Sequence, residues 1–208
     1  MRPVPLKVFT LALAALAATA AAPASPGPPK PCCAPAAGDS PSPAPPSKLS
    51  VYQLGSTWED DSGKPMTLGS LGGRPVVLAM FFTSCENACP IIVGEMKRIL
   101  DALPGSVRLR PRLVLVSFDT DHDSPAALRL YRDRMHLGSD YVLLHGNPDD
   151  VRELAAVLGV RYAKDARGQF AHSNLITILN PAGEIAFQRP GLTGDISAAV
   201  SALALAAR

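Results

Sequence analysis

The chain has 208 residues and a formal net charge of +2 at pH 7. So small a surplus excludes a protein that holds nucleic acid electrostatically, because phosphate binding needs a pronounced excess of lysine and arginine. The stretch 49–208 is long enough for one domain with a real core, and no internal repeat is present.

Arg2 and Lys7 supply a positive start, Val8 to Ala18 an apolar run, and Ala18 to Ala24 small residues. That order is the grammar of a secretory signal peptide, expected over 1–24. The run is too short and too rich in alanine for a membrane span, so membrane contact is expected only if the signal stays uncleaved. Residues 25–48 are dominated by Pro, Ala and Ser and read as a disordered linker. The linker carries Cys32-Cys33, a vicinal pair that bridges itself only with strain. It is either an incidental pair or an auxiliary thiol or metal arm. Export places the chain in an oxidising compartment, the periplasm or the outer face of the cytoplasmic membrane.

The domain 49–208 opens with a β-hairpin. Asp60-Asp61-Ser62-Gly63 is a turn signal between a segment ending at Trp58 and one around Met66. Val76 to Phe82 is an unbroken apolar run and predicts a strand buried on both faces. Pro90 to Leu103 predicts a helix with Pro90 in its first turn and Ile91, Ile92, Met96, Ile99, Leu100 and Leu103 on its apolar face. Residues 111–119 predict a second buried strand. Ser124-Pro125 starts a helix running to about Met135. Residues 141–146 predict a third strand, and Asn147-Pro148 starts a third helix ending near Gly159. Residues 175–180 and 184–189 flank Pro181-Ala182-Gly183 as a hairpin, and Gly194 to Ala207 is a last helix. Strands alternating with helices predict an α/β fold, a thioredoxin-like three-layer sandwich with an N-terminal β-hairpin.

The chemistry sits in "TSCENACP". Cys85 falls in the loop after the first buried strand and Cys89 at the start of the next helix. A helix N-terminus stabilises thiolates, so both thiols are expected to be exposed and low in pKa. The i, i+4 spacing lets the two sulfurs meet as a redox disulfide or on one soft ion. It is one residue wider than the usual dithiol C-x-x-C. Of the four histidines, His122 lies in a polar, solvated loop. His136 stands at a helix C-terminus, where a charge–dipole match explains it, and His145 reads as packing. His172, just before a buried strand, returns in a thioredoxin-like fold to the mouth where the cysteines sit. Two thiolates and one imidazole suit copper as Cu(I) or Cu(II), whereas zinc normally takes a fourth ligand. Trp58, Met96 and Met135 read as core.

"FFTSCENACP", "VSFDTDHDSPAAL", "LGVRY" and "AHSNLITILNPAGEI" together resemble the Sco/SenC family, exported thioredoxin-fold copper chaperones of cytochrome c oxidase assembly. The resemblance spans about 50–205. It implies Cys85, Cys89 and His172 as copper ligands, with the same two cysteines cycling between dithiol and disulfide. It implies structural or partner-facing roles for Asp119 and Asp123. The family often carries Asp before the histidine; Ala171 stands here, so the usual carboxylate is missing beside the ring. Thr120 replaces a family proline.

Two functions follow as expectations. The first is a monomeric copper chaperone that passes its ion to a copper-enzyme recipient such as an oxidase subunit. The alternative is a thiol–disulfide reductase acting on a partner's copper-site cysteines and kept reduced by a thioredoxin-like reductant.

Overall fold

The structure, a computed structural model, describes residues 47–107, 110–166 and 170–208. The expected signal 1–24 and all of the expected linker before Ser47, with Cys32 and Cys33, lie outside the described residues.

The centre of the fold is β3 (Val76–Phe81), in which every side chain is buried. It runs parallel to β4 (Arg112–Ser117) on one side and antiparallel to β8 (Leu175–Leu179) on the other. A strand with two neighbours and two covered faces has no solvated side, which is why its sequence is apolar throughout rather than alternating. β4 pairs in turn with β5 (Tyr141–Gly146), again parallel. The helices α1 (Ala88–Asp101), α2 (Pro125–Arg134) and α3 (Pro148–Leu158) connect or follow these strands. Parallel neighbours require such crossovers, and the crossovers cover the sheet.

Two further pairs complete a seven-stranded sheet of order β2-β1-β5-β4-β3-β8-β9. β1 (Trp58–Asp60) pairs antiparallel both with β2 (Pro65–Met66) and with β5. The N-terminal strands therefore extend the main sheet rather than precede it. Trp58 is fully buried, and a Cβ at Gly146 opposite it would lie 2.6 Å from the indole. β9 (Ile185–Pro190) pairs antiparallel with β8. The turn between them depends on Gly183, at φ +83° and with no room for a side chain against Tyr52. α4 (Ser197–Ala206) closes the domain. This is the thioredoxin-like α/β arrangement expected from the pattern.

The helix boundaries follow local chemistry. Ser124 accepts the Ala127 N–H at the start of α2. Asn147 accepts the Asp149 and Asp150 N–H groups at the start of α3, and left-handed Gly159 ends it. α1 starts two residues before the expected Pro90, which occupies the third helical position, where its missing N–H still leaves no bond unmade. Ile91 departs from expectation: it is exposed, because the buried stripe of α1 runs through Ile92, Met96 and Ile99, about 100° away around the helix.

That stripe also contains a charge. Glu95 is buried and meets buried Arg189 of β9 at 3.2 Å, with Arg98 as its second partner. The pair joins α1 to the edge of the sheet.

A separate ribbon was not legible in the strand pattern. β6 (Tyr162–Lys164) and β7 (Phe170–His172) pair antiparallel, with Tyr162 opposite His172. Among the described strands they pair only with each other.

Candidate metal centre

Three elements converge at one end of β3. The loop Thr83–Asn87 carries Cys85, α1 carries Cys89 as its second residue, and β7 ends on His172. One sulfur of each cysteine and a ring nitrogen of His172 all lie within 4.8 Å of one another. Residues about 83 positions apart are thus brought to one point, in a cluster that is partly buried rather than open.

The first turn of α1 explains the two cysteines. Asn87 precedes the helix but makes no side-chain cap bond. Instead the Cys89 N–H donates to Cys85 Sγ at 3.3 Å. Sulfur takes the place that an Asn, Asp or Ser oxygen usually fills, and the orphan donors of the helix point at it. Partial burial pushes the Cys85 thiol up, but the N–H groups of Cys89, Asn87 and Ala88 and the Cys89 thiol outweigh it. The net result lies below the ordinary thiol value.

Cys89 is the opposite. It is fully buried, and burial, the neighbouring Cys85 and the charge of Asp123 hold its thiol far above the ordinary value. The expectation of two exposed, low-pKa thiols is therefore corrected for Cys89. Its place as the second residue of α1 turns the side chain inward beneath the loop, where desolvation exceeds the helix-terminal field.

His172 packs against a pair of neighbouring rings. Phe118 lies 5.1 Å and Phe82 5.9 Å from it, centroid to centroid. Its Nδ1 lies 3.3 Å from the Ser173 carbonyl. A carbonyl only accepts, so Nδ1 carries the ring proton in the neutral imidazole and Nε2 keeps the lone pair. A backbone carbonyl and two aromatic walls thus do for the ring what a carboxylate at position 171 would otherwise do. Ala171 is exposed and takes no part.

The cysteine loop has its own support. Asp123 is buried and accepts the Thr83 N–H at 2.8 Å, the Thr83 hydroxyl, and the Ser117 hydroxyl at 2.6 Å. Arg134, at the end of α2, donates to the Thr83 carbonyl at 2.6 Å. Thr83, Ser117 and Arg134 escaped sequence reasoning. The pairing of "FFTSC" with "VSFD", two strand ends followed by hydroxyl residues, is the signal that could have found them.

The remaining residues fall elsewhere. Asp119 is buried and bonds His122 Nδ1 at 2.9 Å, while Lys164 reaches Asp119 at 3.6 Å and Asp121 at 3.0 Å. Asp119, Asp121 and His122 form a second donor cluster, but Lys164 already supplies its positive charge. His136 has a left-handed backbone, φ 51°, just beyond α2. His145 lies within β5, opposite Glu59. Met96 is fully buried, and Met135 half-buried at the end of α2.

The sequence profile of the SCO1/SenC family matches residues 51–206, three quarters of the chain. The chain belongs to the SCO1/SenC family. A Stutzerimonas stutzeri protein named for copper binding is 29% identical over 130 residues, which are 61% of this chain and 63% of that protein. The chain thus spans less than two thirds of that relative. Arabidopsis thaliana ScoI, solved with copper bound, superposes at a TM-score of 0.64 and 20% identity, covering 72% of this chain and 94% of the other. BsSco, described as having a disulfide switch and as a member of the Sco family of cytochrome c oxidase assembly proteins, does so at 0.60 and 23%, covering 74% and 94%. Likeness at these identities shows the fold. Among the described residues no helix is long and apolar enough to cross a membrane.

Proposed function

We propose that this chain is an exported copper chaperone that takes up copper through Cys85, Cys89 and His172 and passes it to a copper enzyme such as cytochrome c oxidase. The observation that carries the reading is the meeting of three donors, two sulfurs and a ring nitrogen, within 4.8 Å. The donor set fits the ion. Thiolates suit Cu(I), and an added imidazole accommodates Cu(II). Cys85 gives up its proton readily, while Cys89 keeps its proton until an ion displaces it, so uptake releases protons. Zinc would require a fourth ligand, and the donor group holds three among the described residues. Copper here is cargo, held by Cys85 and Cys89 and oriented by His172. The copper-binding designation of one relative and the copper-bound state of another support the reading.

The same reading takes 1–24 as a signal peptide, 25–48 as a linker and 49–208 as the working domain. It takes the chain to be a monomer in the periplasm or on the outer face of the cytoplasmic membrane.

The test is titration of the reduced chain with Cu(I) and Cu(II). Uptake of one copper per chain, with a sulfur-to-Cu(II) charge-transfer band that Cys85→Ala abolishes, is the expected result. Absence of both the band and tight Cu(I) uptake overturns it.

One observation favours a second reading, thiol–disulfide exchange. The two thiols are unequal, one half-exposed and acidic, one buried and protonated, as an attacking and a resolving thiol should be. The Cys85 thiolate attacks one sulfur of a partner disulfide and the partner's other sulfur leaves as thiolate. Cys89, losing its proton, then attacks Cys85, which releases the reduced partner and leaves a Cys85–Cys89 disulfide. A thioredoxin-like dithiol must return the pair to its reduced form. Exchange that survives His172→Ala but not Cys85→Ala supports this second activity.

A further inference from the structure

Among the described strands β6 bonds only to β7, on one edge, and its other edge is open. The Ser173 N–H donates to the Arg161 carbonyl at 2.8 Å, so Arg161 and Ser173 face each other as a bonded pair. Bonded and non-bonded pairs alternate along an antiparallel ladder. With Tyr162 opposite His172, Ala163 opposite Ala171 and Lys164 opposite Phe170, Ala163 is turned toward β7. The N–H and C=O groups of Tyr162 and Lys164 are turned to the open edge.

That edge lines a groove of about 790 Å³. The groove is also lined by α3, through Arg152, Ala155 and Ala156, and by the rings of Phe118 and Phe170. Its size is that of natural ligand clefts. The charged residues that line it are three cations, Arg152, Arg161 and Lys164, and two acids, Asp119 and Asp121. Lys164 is engaged by Asp119 and Asp121, and Arg152 makes an exposed pair with Asp149. Arg161 has no ion-pair partner among the described residues.

We propose that this groove binds an extended acidic segment of a partner protein, which adds as a third strand to the open edge of β6 with a carboxylate against Arg161. Main-chain bonds to Tyr162 and Lys164 supply affinity, and alternate side chains meet the aromatic rings or the arginine. The chain's own N-terminal segment fits poorly. Residues 1–46 hold a single acid, Asp39, and many prolines that have no N–H to donate. The docked strand lies one strand from the metal centre, since β7 carries His172 and Phe118 touches its ring at 5.1 Å. The inference rests on the chaperone reading only in taking the partner to be the protein that supplies or receives copper.

The test uses the full, isotope-labelled chain and the blocked hexapeptide Val-Glu-Val-Thr-Val-Glu, with Val-Lys-Val-Thr-Val-Lys as its basic counterpart. Amide shifts and slowed exchange are expected at Tyr162 and Lys164, with the acidic peptide bound about tenfold tighter or more. Arg161→Glu reverses the preference and leaves copper uptake unchanged. N-methylation of the peptide residues facing β6 abolishes binding, and methylation in the other register does not. Shifts confined to β2 or β9, equal binding of the two peptides, or no binding overturn the proposal. So does protection of these amides in the free chain. Protection lost on dilution assigns the edge to a second copy, and protection that survives dilution assigns it to the chain's own N-terminal segment. Copper uptake by the same sample reports separately on the chaperone reading.

Discussion

The Cys89 amide donates to the Cys85 sulfur at 3.3 Å, so one cysteine caps the helix that carries the other. The bond couples helix formation to thiol chemistry. Ionising Cys85 strengthens the cap, since a charged acceptor binds an N–H more tightly than a neutral one. Oxidising it or loading it with metal changes the acceptor at the start of α1. It also makes the two thiols unequal, and the inequality is measurable.

Iodoacetamide labels Cys85 first in the reduced chain. Its rate climbs with pH as the thiol ionises, and because the folded pKa is lowered, the midpoint falls below that of the same thiol in the denatured chain. Cys89, buried and protonated, is labelled only after denaturation. Peptide mapping across a pH series checks this; equal labelling of the two in the native chain refutes it.

Asp123→Ala leaves the Thr83 N–H and the hydroxyls of Thr83 and Ser117 without their acceptor. A loss of about 2–4 kcal/mol is expected in urea unfolding. Because Thr83 lies two residues before Cys85, copper uptake weakens as well. A variant of unchanged midpoint would show that the carboxylate does not hold the loop.

Phe118→Leu removes one wall of the imidazole site without touching a donor atom. Cu(II) affinity drops by about tenfold or more, the scale typical of groups that orient a metal-binding histidine. Cu(I), held by the two sulfurs, changes less. Parallel titrations with the two oxidation states separate the effects, and equal losses would count against an orienting role.

Arg189→Met strips buried Glu95 of one of its two cations. Stability falls by about 3 kcal/mol, the cost of leaving a buried charge underpaired. The double variant Glu95→Leu with Arg189→Met recovers most of it, because removing both charges also removes their desolvation. Urea midpoints of the two variants decide the matter.

Much of this was legible in the sequence. The buried strands announced themselves as apolar runs, and the caps at Ser124 and Asn147 fixed two helix starts, because both signals are local. Three things were not. Cys89 reads as a helix-terminal thiolate, yet its direction around the helix turns it inward, and burial overrides the terminal field. Ile91 counts as apolar face in a simple list, though the stripe centred on Ile92 leaves it in water. The ribbon of β6 and β7 consists of two three-residue strands, too short to show alternation. Its existence depends on Phe118, Tyr162 and Phe170 meeting across the chain.

The ribbon has a kinetic meaning. Cys85 and Cys89 are tied to the sheet through β3 and Asp123, while His172 hangs on a two-stranded unit that pairs with nothing else among the described strands. Such units open far more readily than the core they lean on. The centre can therefore fall from three donors to two while the domain stays folded. On the proposed copper reading, an ion left on the two sulfurs alone is open to attack by an incoming ligand, so lifting of the ribbon is expected to shorten its stay.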